Sequence, residues 1–415
     1  MITNLGGKGV AALAQLYAIF VFSKIHTQNE ASVIFLLLGY AIWFQVFEFG
    51  LAQTLQNRFN SGKSAANDVR VLIIFHYFFV LGLALYIFFS PTLPQLLLPA
   101  DRFDSSGVEF RAFSIGMAMM IIATSNQIMQ RMLLVLNKGL FANSLLAFQS
   151  IVVLLSLAFY QQTESPSLMI SVLLYLVPPI LVNFPLVLNT MRNFFAKRYK
   201  MRKDSYRSIF IYATEFWVLN ILSAIFLGAD YYFAAHHLDG EQVVSYHFAT
   251  RFYFLSFIAY YAYVHHQARR LTPSALRNDA IEVRNIIRNS VVIGLTSVAF
   301  VYFTVITLDG FQVFERIINK DVIDHSFMFG AFCYFSIRVL RDVGVVVLGN
   351  VGVKSILYKV YIIEIALGLA LLNLTVKQFS GMGIFLSMAF TCLISTAVLF
   401  YFANKLVQAP EYKLK

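Results

Sequence analysis

The chain has 415 residues, of which 59% are hydrophobic and only 13% are charged, and its mean hydropathy is +0.70. Soluble domains carry roughly 25% charged residues, so this composition excludes an ordinary soluble protein and indicates an integral membrane protein. The net charge of +11 could also indicate a nucleic-acid partner. Basic loops in a membrane protein instead set its orientation, so we expect no nucleic-acid partner.

Apolar segments of about 20 residues, each long enough to cross a bilayer as a helix, follow one another along the whole chain. Twelve segments can be placed, near 5–25, 31–54, 71–90, 110–133, 140–160, 167–188, 208–234, 242–264, 290–308, 326–348, 355–375 and 382–404. The connections between them are short. The sequence therefore predicts an all-α membrane protein with about 12 transmembrane helices.

A basic loop at 189–207 (NTMRNFFAKRYKMRKDSYR) divides these segments into two equal sets and contains seven Lys or Arg residues. It predicts an N-terminal six-helix lobe at 1–188, a linker at 189–207 and a C-terminal six-helix lobe at 208–415. Most of the remaining Lys and Arg residues lie in alternate loops on the same side. Because cytoplasmic loops carry an excess of such residues, we expect the linker and both termini to be cytoplasmic.

The first segment contains Lys8 in the run NLGGKGVAALAQ. A lysine inside a spanning segment can line a cavity, or its long side chain can extend to the headgroups. The sequence leaves both interpretations open, so Lys8 is a candidate for substrate binding.

Amides and prolines mark the fourth and sixth segments. Asn126 and Gln130 share a helix face, where amides can bind sugar hydroxyls or join helices to one another. Pro178, Pro179 and Pro185 fall within one segment and should bend that helix. The bend predicts either a hinge before the linker or a static kink.

The eighth segment contains Arg251 near its middle, and His247 lies one turn earlier on the same face. Ionisable groups inside spanning helices are costly and are functional candidates. A buried guanidinium can bind a phosphate or pyrophosphate in a bidentate manner, or it can form a structural ion pair with an acid on another helix. Nearby aromatic residues, Tyr253 among them, are candidates for binding sugars.

Four acidic residues lie within or at the ends of the predicted helices and are candidates for ion coupling: Glu48, Glu215, Asp230 and Glu364. Each could bind a coupling proton or cation, or neutralise Arg251. In the tenth segment, Arg338 and Asp342 have the i, i+4 spacing of a local ion pair. Arg341 is expected to face the cytoplasm, which leaves Arg251 as the one deep cation of the chain.

No cofactor is expected apart from a coupling proton or sodium ion. The adjacent histidines at 236–237 and 265–266 point about 100° apart on a helix and are not accompanied by cysteines or clustered acids, so no metal site is predicted. The sequence lacks a phosphate-binding loop. Transport would therefore be passive or driven by a gradient.

Two short runs carry a resemblance to a known family. The run FEFGLAQTLQNRF contains Glu48, Gly50 and Leu51, and the run GEQVVSYHFATRF contains Gly240, Val244, Tyr246, Ala249 and Arg251. Together with the length and the division into six and six segments, they resemble the bacterial polysaccharide flippases of the multidrug/oligosaccharidyl-lipid/polysaccharide exporter superfamily. This resemblance implies two six-helix bundles around a central cavity that opens alternately to each side.

The resemblance implies a substrate as well, an undecaprenyl-pyrophosphate-linked O-antigen unit carried across the inner membrane. It further implies membrane lipids, an O-antigen polymerase and a chain-length regulator as partners. Two alternatives remain open: a cation- or proton-coupled drug antiporter of the same superfamily, and a membrane enzyme such as a polymerase or acetyltransferase. An antiporter would depend on buried acids, and an enzyme would need a large periplasmic loop or a catalytic cluster.

Overall fold

A computed structural model provides the structure of the protein. It describes residues 2–51, 54, 66–99, 103, 107–135, 138–196, 203–276, 280–351 and 354–408. The predicted linker at 189–207 therefore lies partly outside the described residues, and its structure between 197 and 202 is not described.

The described residues are helical almost throughout. The helices are α1 (Ile2–Ile25), α2 (Gln28–Gly39), α3 (Ala41–Phe44), α4 (Ala66–Phe89), α5 (Thr92–Leu97), α6 (Val108–Val135), α7 (Gly139–Tyr160), α8 (Leu168–Ala196), α9 (Lys203–His237), α10 (Gly240–Leu276), α11 (Ala280–Gly310), α12 (Val313–Ile318), α13 (His325–Val351) and α14 (Lys354–Gln408). Every predicted segment except the second coincides with a helix or with one limb of a bent helix. The long apolar runs thus predicted the helices well.

The second predicted segment is the one that departs from a continuous helix. After α2 and α3 it tightens into a 3-10 turn at Gln45–Glu48, and the next two residues, Phe49 and Gly50, adopt positive φ angles of 52° and 67°. A Cβ atom on Gly50 would collide with the carbonyl oxygen of Ala213 in α9. Glycine therefore serves two purposes here, since it permits the left-handed conformation and the close backbone approach.

The last helix bends at one residue. Ser380 has φ 53° and ψ −137°, so α14 consists of two limbs that meet at this position. The hydroxyl of Thr375 in the first limb donates to the Gly383 carbonyl at 2.9 Å and contacts the Ser387 hydroxyl at 2.5 Å in the second limb. The two limbs correspond to the eleventh and twelfth predicted segments.

The chain divides into two compact units, Met1–His236 and His237–Lys415. In the first unit α6 packs against α4, α7 and α8, and α1 packs against α7. In the second unit α10 and α13 pack against each other, and both contact α11. By this division α9 belongs to the first unit, whereas the sequence assigned it to the C-terminal lobe, and the lobe boundaries at 188 and 208 stay a prediction.

Seven helices in the described part of the chain are long and apolar enough to cross a membrane. The clearest lies at Ile281–Gly310, where only 17% of the most apolar stretch is buried against other residues. Large apolar side chains such as Phe300 and Phe303 are exposed along it. Such a surface would be unstable in water and is typical of contact with lipid.

Candidate functional site

The eighth predicted segment lies within α10 and brings Arg251 and His247 together as expected from their spacing. Nε of Arg251 donates to Nε2 of His247 at 3.3 Å. His247 is fully buried, whereas Arg251 is only partly buried. Because an arginine cannot act as an acceptor, the imidazole of His247 accepts through Nε2. The positive charge of the pair therefore lies on Arg251, the more accessible of the two residues.

Tyrosines on α10 join this helix to its neighbours. Tyr253 is fully buried, stacks on Phe335 at 5.3 Å between ring centroids, and donates its hydroxyl to the Met328 carbonyl at 3.1 Å. Tyr260, one heptad later, donates to the Val339 carbonyl at 3.1 Å. These bonds attach α10 to α13, so Tyr253 has a structural contact at a position where the sequence suggested a sugar contact. Its part in substrate binding stays a prediction.

The expectation that Arg341 faces the cytoplasm is wrong. Arg341 is 3% exposed and holds the fully buried Glu364 through two bonds, Nε to Oε1 at 2.8 Å and NH2 to Oε2 at 2.6 Å. A charged group at this position would be costly to bury alone, so the pairing with an acid on α14 accounts for its burial. Glu364, a candidate for ion coupling, is therefore engaged by an arginine.

The Arg338–Asp342 pair predicted from the i, i+4 spacing is present on α13. Nε of Arg338 lies 3.6 Å from Oδ2 of Asp342, and the two side chains are almost fully buried. Asp342 also accepts from NH1 of Arg341 at 2.9 Å and from the Tyr261 hydroxyl at 2.5 Å. Arg251 is thus not the one deep cation of the chain, because Arg338 and Arg341 are buried more completely.

The amides predicted on the fourth segment form two separate contacts in the first unit. Asn126 is buried and its Oδ1 accepts from the Tyr77 hydroxyl at 3.2 Å. Nε2 of Gln130 lies 3.5 Å from Oε1 of Gln149 and 3.4 Å from Oδ1 of Asn183. These contacts join α6 to α4, α7 and α8, as expected for amides that connect helices. A role for either residue in sugar binding stays a prediction.

Gln149 and Asn183 complete this amide cluster, and neither was among the residues predicted from the sequence. Asn183 Nδ2 donates to Gln149 Oε1 at 3.0 Å and to the Pro179 carbonyl at 2.7 Å. The available signal was an amide side chain within each of two apolar segments. Both residues would have become candidates if every uncharged polar group inside a spanning segment had been considered.

The three prolines lie inside α8, which runs unbroken from Leu168 to Ala196. Pro178 is buried, Pro179 is partly buried and Pro185 is exposed. The bond from Asn183 to the Pro179 carbonyl fixes the helix locally. Whether these prolines act as a hinge stays a prediction.

The remaining candidates lie in different parts of the first unit. Glu48 is 3% exposed at the end of the 3-10 turn, and Asp230 is 6% exposed in α9, where its Oδ1 accepts from the Tyr231 backbone N–H at 2.8 Å. Glu215 is partly exposed. Lys8 lies in α1, and its side chain is outside the described part of the structure. A coupling role for any of these acids stays a prediction.

These features define a multi-pass, all-α membrane protein, and its fold is that of known transporters. An inward-facing multidrug resistance transporter of the MATE family, MOP superfamily, superimposes with a TM-score of 0.73 over 97% of this chain and 96% of its own, at 10% identity. The lipid II flippase MurJ, in an inward closed conformation, superimposes with a TM-score of 0.72 over 98% of this chain and 89% of its own, at 12% identity. The predicted fold class is thus confirmed.

Sequence comparison gives a more particular relative. The chain is 22% identical over 261 residues to a Salmonella typhi protein described as "Putative O-antigen transporter", a match that covers 61% of this chain and 60% of that protein. No protein-family profile matches the chain. The suspected resemblance to polysaccharide flippases of the superfamily is therefore confirmed as a similarity, and the match spans less than two thirds of the relative's length.

Proposed function

We propose that this protein is a flippase that moves an undecaprenyl-pyrophosphate-linked oligosaccharide, an O-antigen repeat unit of lipopolysaccharide, from the cytoplasmic to the periplasmic leaflet. It works by alternating access in the bacterial inner membrane and does not hydrolyse ATP. Both termini are cytoplasmic in this proposal. The protein is a transporter and not an enzyme, in agreement with the transporters and flippases that it resembles.

The observation that carries the proposal is the Arg251–His247 pair on α10, in the eighth predicted segment of a chain with a transporter fold. Arg251 is partly accessible, so its guanidinium can receive an anion without first leaving a buried position. A guanidinium matches the geometry of a phosphate oxygen pair. A pyrophosphate is the part shared by all undecaprenyl-pyrophosphate-linked sugars, and one arginine can serve it whatever the sugar is.

The proposal includes partners and a driving force. The substrate glycan keeps its prenyl chain in membrane lipid, and the released product passes to an O-antigen polymerase and a chain-length regulator. A proton or sodium ion is proposed as the coupling ion, with Glu48, Asp230 and Glu215 as candidates to bind it. Glu364 is the weakest of the four candidates, because Arg341 already neutralises it.

A drug or cation antiporter is the second candidate, and the MATE transporter with the same fold favours it. Such a protein needs acids that can receive a cationic substrate or a coupling proton. In the second unit the buried acids Asp342 and Glu364 are paired with Arg338 and Arg341. This pairing favours an anionic substrate near Arg251 over a cationic one.

Deletion of the gene provides the direct test of the flippase proposal. We expect lipid-linked repeat units to accumulate on the cytoplasmic face and surface polysaccharide to be lost. Accessibility of the sugar to a membrane-impermeant lectin or glycosidase measures the side of the membrane on which it lies. Repeat units that still reach the periplasmic face, with polymerisation alone lost, would contradict the proposal and favour a polymerase.

Substitution of Arg251 tests the site. Arg251→Ala should abolish surface polysaccharide at unchanged protein level, because the pyrophosphate loses its charged partner, and Arg251→Lys should restore only part of it because lysine is not bidentate. Arg316→Ala, at an exposed arginine of the same unit, is the matched control and should leave the polysaccharide unchanged. Wild-type polysaccharide in the Arg251→Ala strain would remove Arg251 from the mechanism.

A further inference from the structure

Two arginines of the second unit share one aromatic ring. The guanidinium carbon of Arg251 lies 5.7 Å from the centroid of the Phe254 ring, and that of Arg338 lies 5.5 Å from the same centroid. Both distances are within the range of a cation–π contact, and together they place the two guanidinium carbons no more than about 11 Å apart. Arg251 is on α10 and Arg338 is on α13, so residue spacing could not predict this proximity.

Arg338 is held mainly by aromatic rings. Its guanidinium carbon lies between 5.3 and 5.9 Å from the ring centroids of Phe254, Phe257, Tyr334 and Phe335. Its NH1 donates to the Tyr334 hydroxyl at 3.3 Å, and within the described part of the chain its buried Nε has no hydrogen-bond partner. A guanidinium has five N–H donors, so Arg338 retains the capacity to bind an anion.

Asp342 can release Arg338 at low cost. The Arg338–Asp342 contact is 3.6 Å long, which is an ion pair without a short hydrogen bond. Asp342 keeps closer partners in Arg341 NH1 at 2.9 Å and the Tyr261 hydroxyl at 2.5 Å. If Arg338 turned to another anion, Asp342 would lose its weakest contact and would stay paired and hydrogen-bonded.

We propose that Arg338 is a second anion ligand and that, with Arg251, it forms a two-point receptor for a diphosphate group around Phe254. The inference rests on the proposed function and names the residues that recognise the two phosphates. Arg251 is the accessible ligand and binds the first phosphate. Phe254, which is partly buried, covers Arg338, and displacement of its ring lets the second phosphate reach Arg338. Each guanidinium binds one phosphate in this arrangement, so a diphosphate uses both arginines and orthophosphate uses Arg251 alone.

Binding of soluble probes to the full-length protein in lipid nanodiscs tests the receptor. Inorganic pyrophosphate and orthophosphate are titrated by calorimetry, and the wild type should bind pyrophosphate about tenfold more tightly, as one additional charged hydrogen-bonded contact predicts. Arg338→Gln should abolish this preference while leaving the affinity for orthophosphate unchanged. Arg251→Gln should weaken the binding of both probes.

The variants separate the two hypotheses. Suppose that Arg251→Gln weakens the binding of both probes while Arg338→Gln keeps the full preference for pyrophosphate. Arg338 is then not an anion ligand, and the proposed function stands. If Arg251→Gln changes the affinity for neither probe, Arg251 is not the substrate site of the proposed function. Arg316→Gln is the charge-matched control and should bind both probes as the wild type does.

Arg338→Lys covers the case in which Arg338→Gln fails to fold. Lysine keeps the charge and the aromatic contacts but loses the bidentate geometry. The affinity for pyrophosphate should fall several-fold, with orthophosphate unchanged. An unchanged ratio of the two affinities in a folded Arg338→Lys protein would overturn the proposal.

A lipid-borne and a soluble diphosphate are distinguished by a third probe, farnesyl diphosphate. Tighter binding of this probe than of inorganic pyrophosphate, with the same dependence on Arg338, assigns the site to a prenyl diphosphate. Equal affinities for farnesyl diphosphate and inorganic pyrophosphate assign the site to a soluble diphosphate. This result would support the two-arginine receptor and contradict the proposed flippase substrate. Binding that does not depend on Arg338 for any of the probes overturns the receptor.

Discussion

The two units of the molecule bury polar groups in different ways. The first unit joins α6, α7 and α8 with neutral amides, Gln130, Gln149 and Asn183, and its backbones approach closely at glycine. The second unit joins α13 to α14 with charged groups, above all Arg341 and Glu364. Both units bury acidic side chains, but among the described residues the buried arginine–carboxylate pairs lie in the second unit, where two charges must be desolvated together.

This difference predicts different sensitivities. A neutral amide that loses its partner leaves one unsatisfied dipole, and alternative partners are available within a membrane bundle, so each such bond contributes little. A buried charge that loses its partner has no comparable alternative. The second unit should therefore be the more sensitive to the loss of a charged partner, and both units should be sensitive to added volume at close glycines such as Gly50 and Gly383.

The largest effect is expected from breaking the Arg341–Glu364 pair. Arg341→Gln leaves the carboxylate of Glu364 buried without its guanidinium, and the free energy of unfolding should fall by about 3–5 kcal/mol. Thermal unfolding of the purified protein in detergent measures the loss. Arg284→Gln, at an exposed arginine of α11, is the control.

A double variant sharpens this prediction. Arg341→Met with Glu364→Leu removes both charges and fills the space with apolar groups, which is often neutral or stabilising for buried pairs. It should unfold at a higher temperature than Arg341→Gln alone. If the double variant is no more stable than the single one, the pair is not the origin of the loss.

An intermediate effect is expected at Gly50. Gly50→Ala places a Cβ against the Ala213 carbonyl and forces a residue with a side chain to hold φ 67°, so the free energy of unfolding should fall by about 1–3 kcal/mol. Gly82→Ala is the matched control, because among the described residues nothing lies within 4 Å of its Cβ. That control should be neutral or slightly stabilising. Equal melting temperatures for the two variants would contradict the close approach at Gly50.

The smallest effect is expected in the amide cluster. Gln149→Leu removes the acceptor of both Gln130 and Asn183, yet the free energy of unfolding should fall by only about 0.6–1 kcal/mol. Ser144→Ala, on an exposed face of the same helix, is the control for the substitution itself. A loss as large as that of Arg341→Gln would remove the contrast between the two units.

The sequence predicted the helices and the contacts along a single helix. Long apolar runs predict spanning helices. The i, i+4 spacing on one helix predicts the pairs His247–Arg251 and Arg338–Asp342. The break in the second segment was missed, because Val46, Phe47 and Phe49 continue the apolar run past Gln45 and Glu48. Gly50 was the one visible sign of it.

Contacts between different helices could not be predicted from the sequence. Arg341 and Glu364 are 23 residues apart on two helices, and no spacing rule connects such positions. The error about Arg341 arose because a charge near the predicted end of a segment resembles a residue at the membrane surface. The proximity of Arg251 and Arg338 depends in the same way on how α10 and α13 pack.

The bend at Ser380 has a practical consequence for mapping how the chain crosses the membrane. One residue separates the two limbs of α14, and the Thr375–Gly383 and Thr375–Ser387 contacts close directly below it. There is no loop at this point in which an epitope tag or a protease site could be accommodated. The turn after α7 is different, because residues 162–165 are all exposed, and exposed turns of this kind tolerate insertions. Topology reporters therefore belong in that turn, and the last two spanning helices should be treated as one inseparable hairpin.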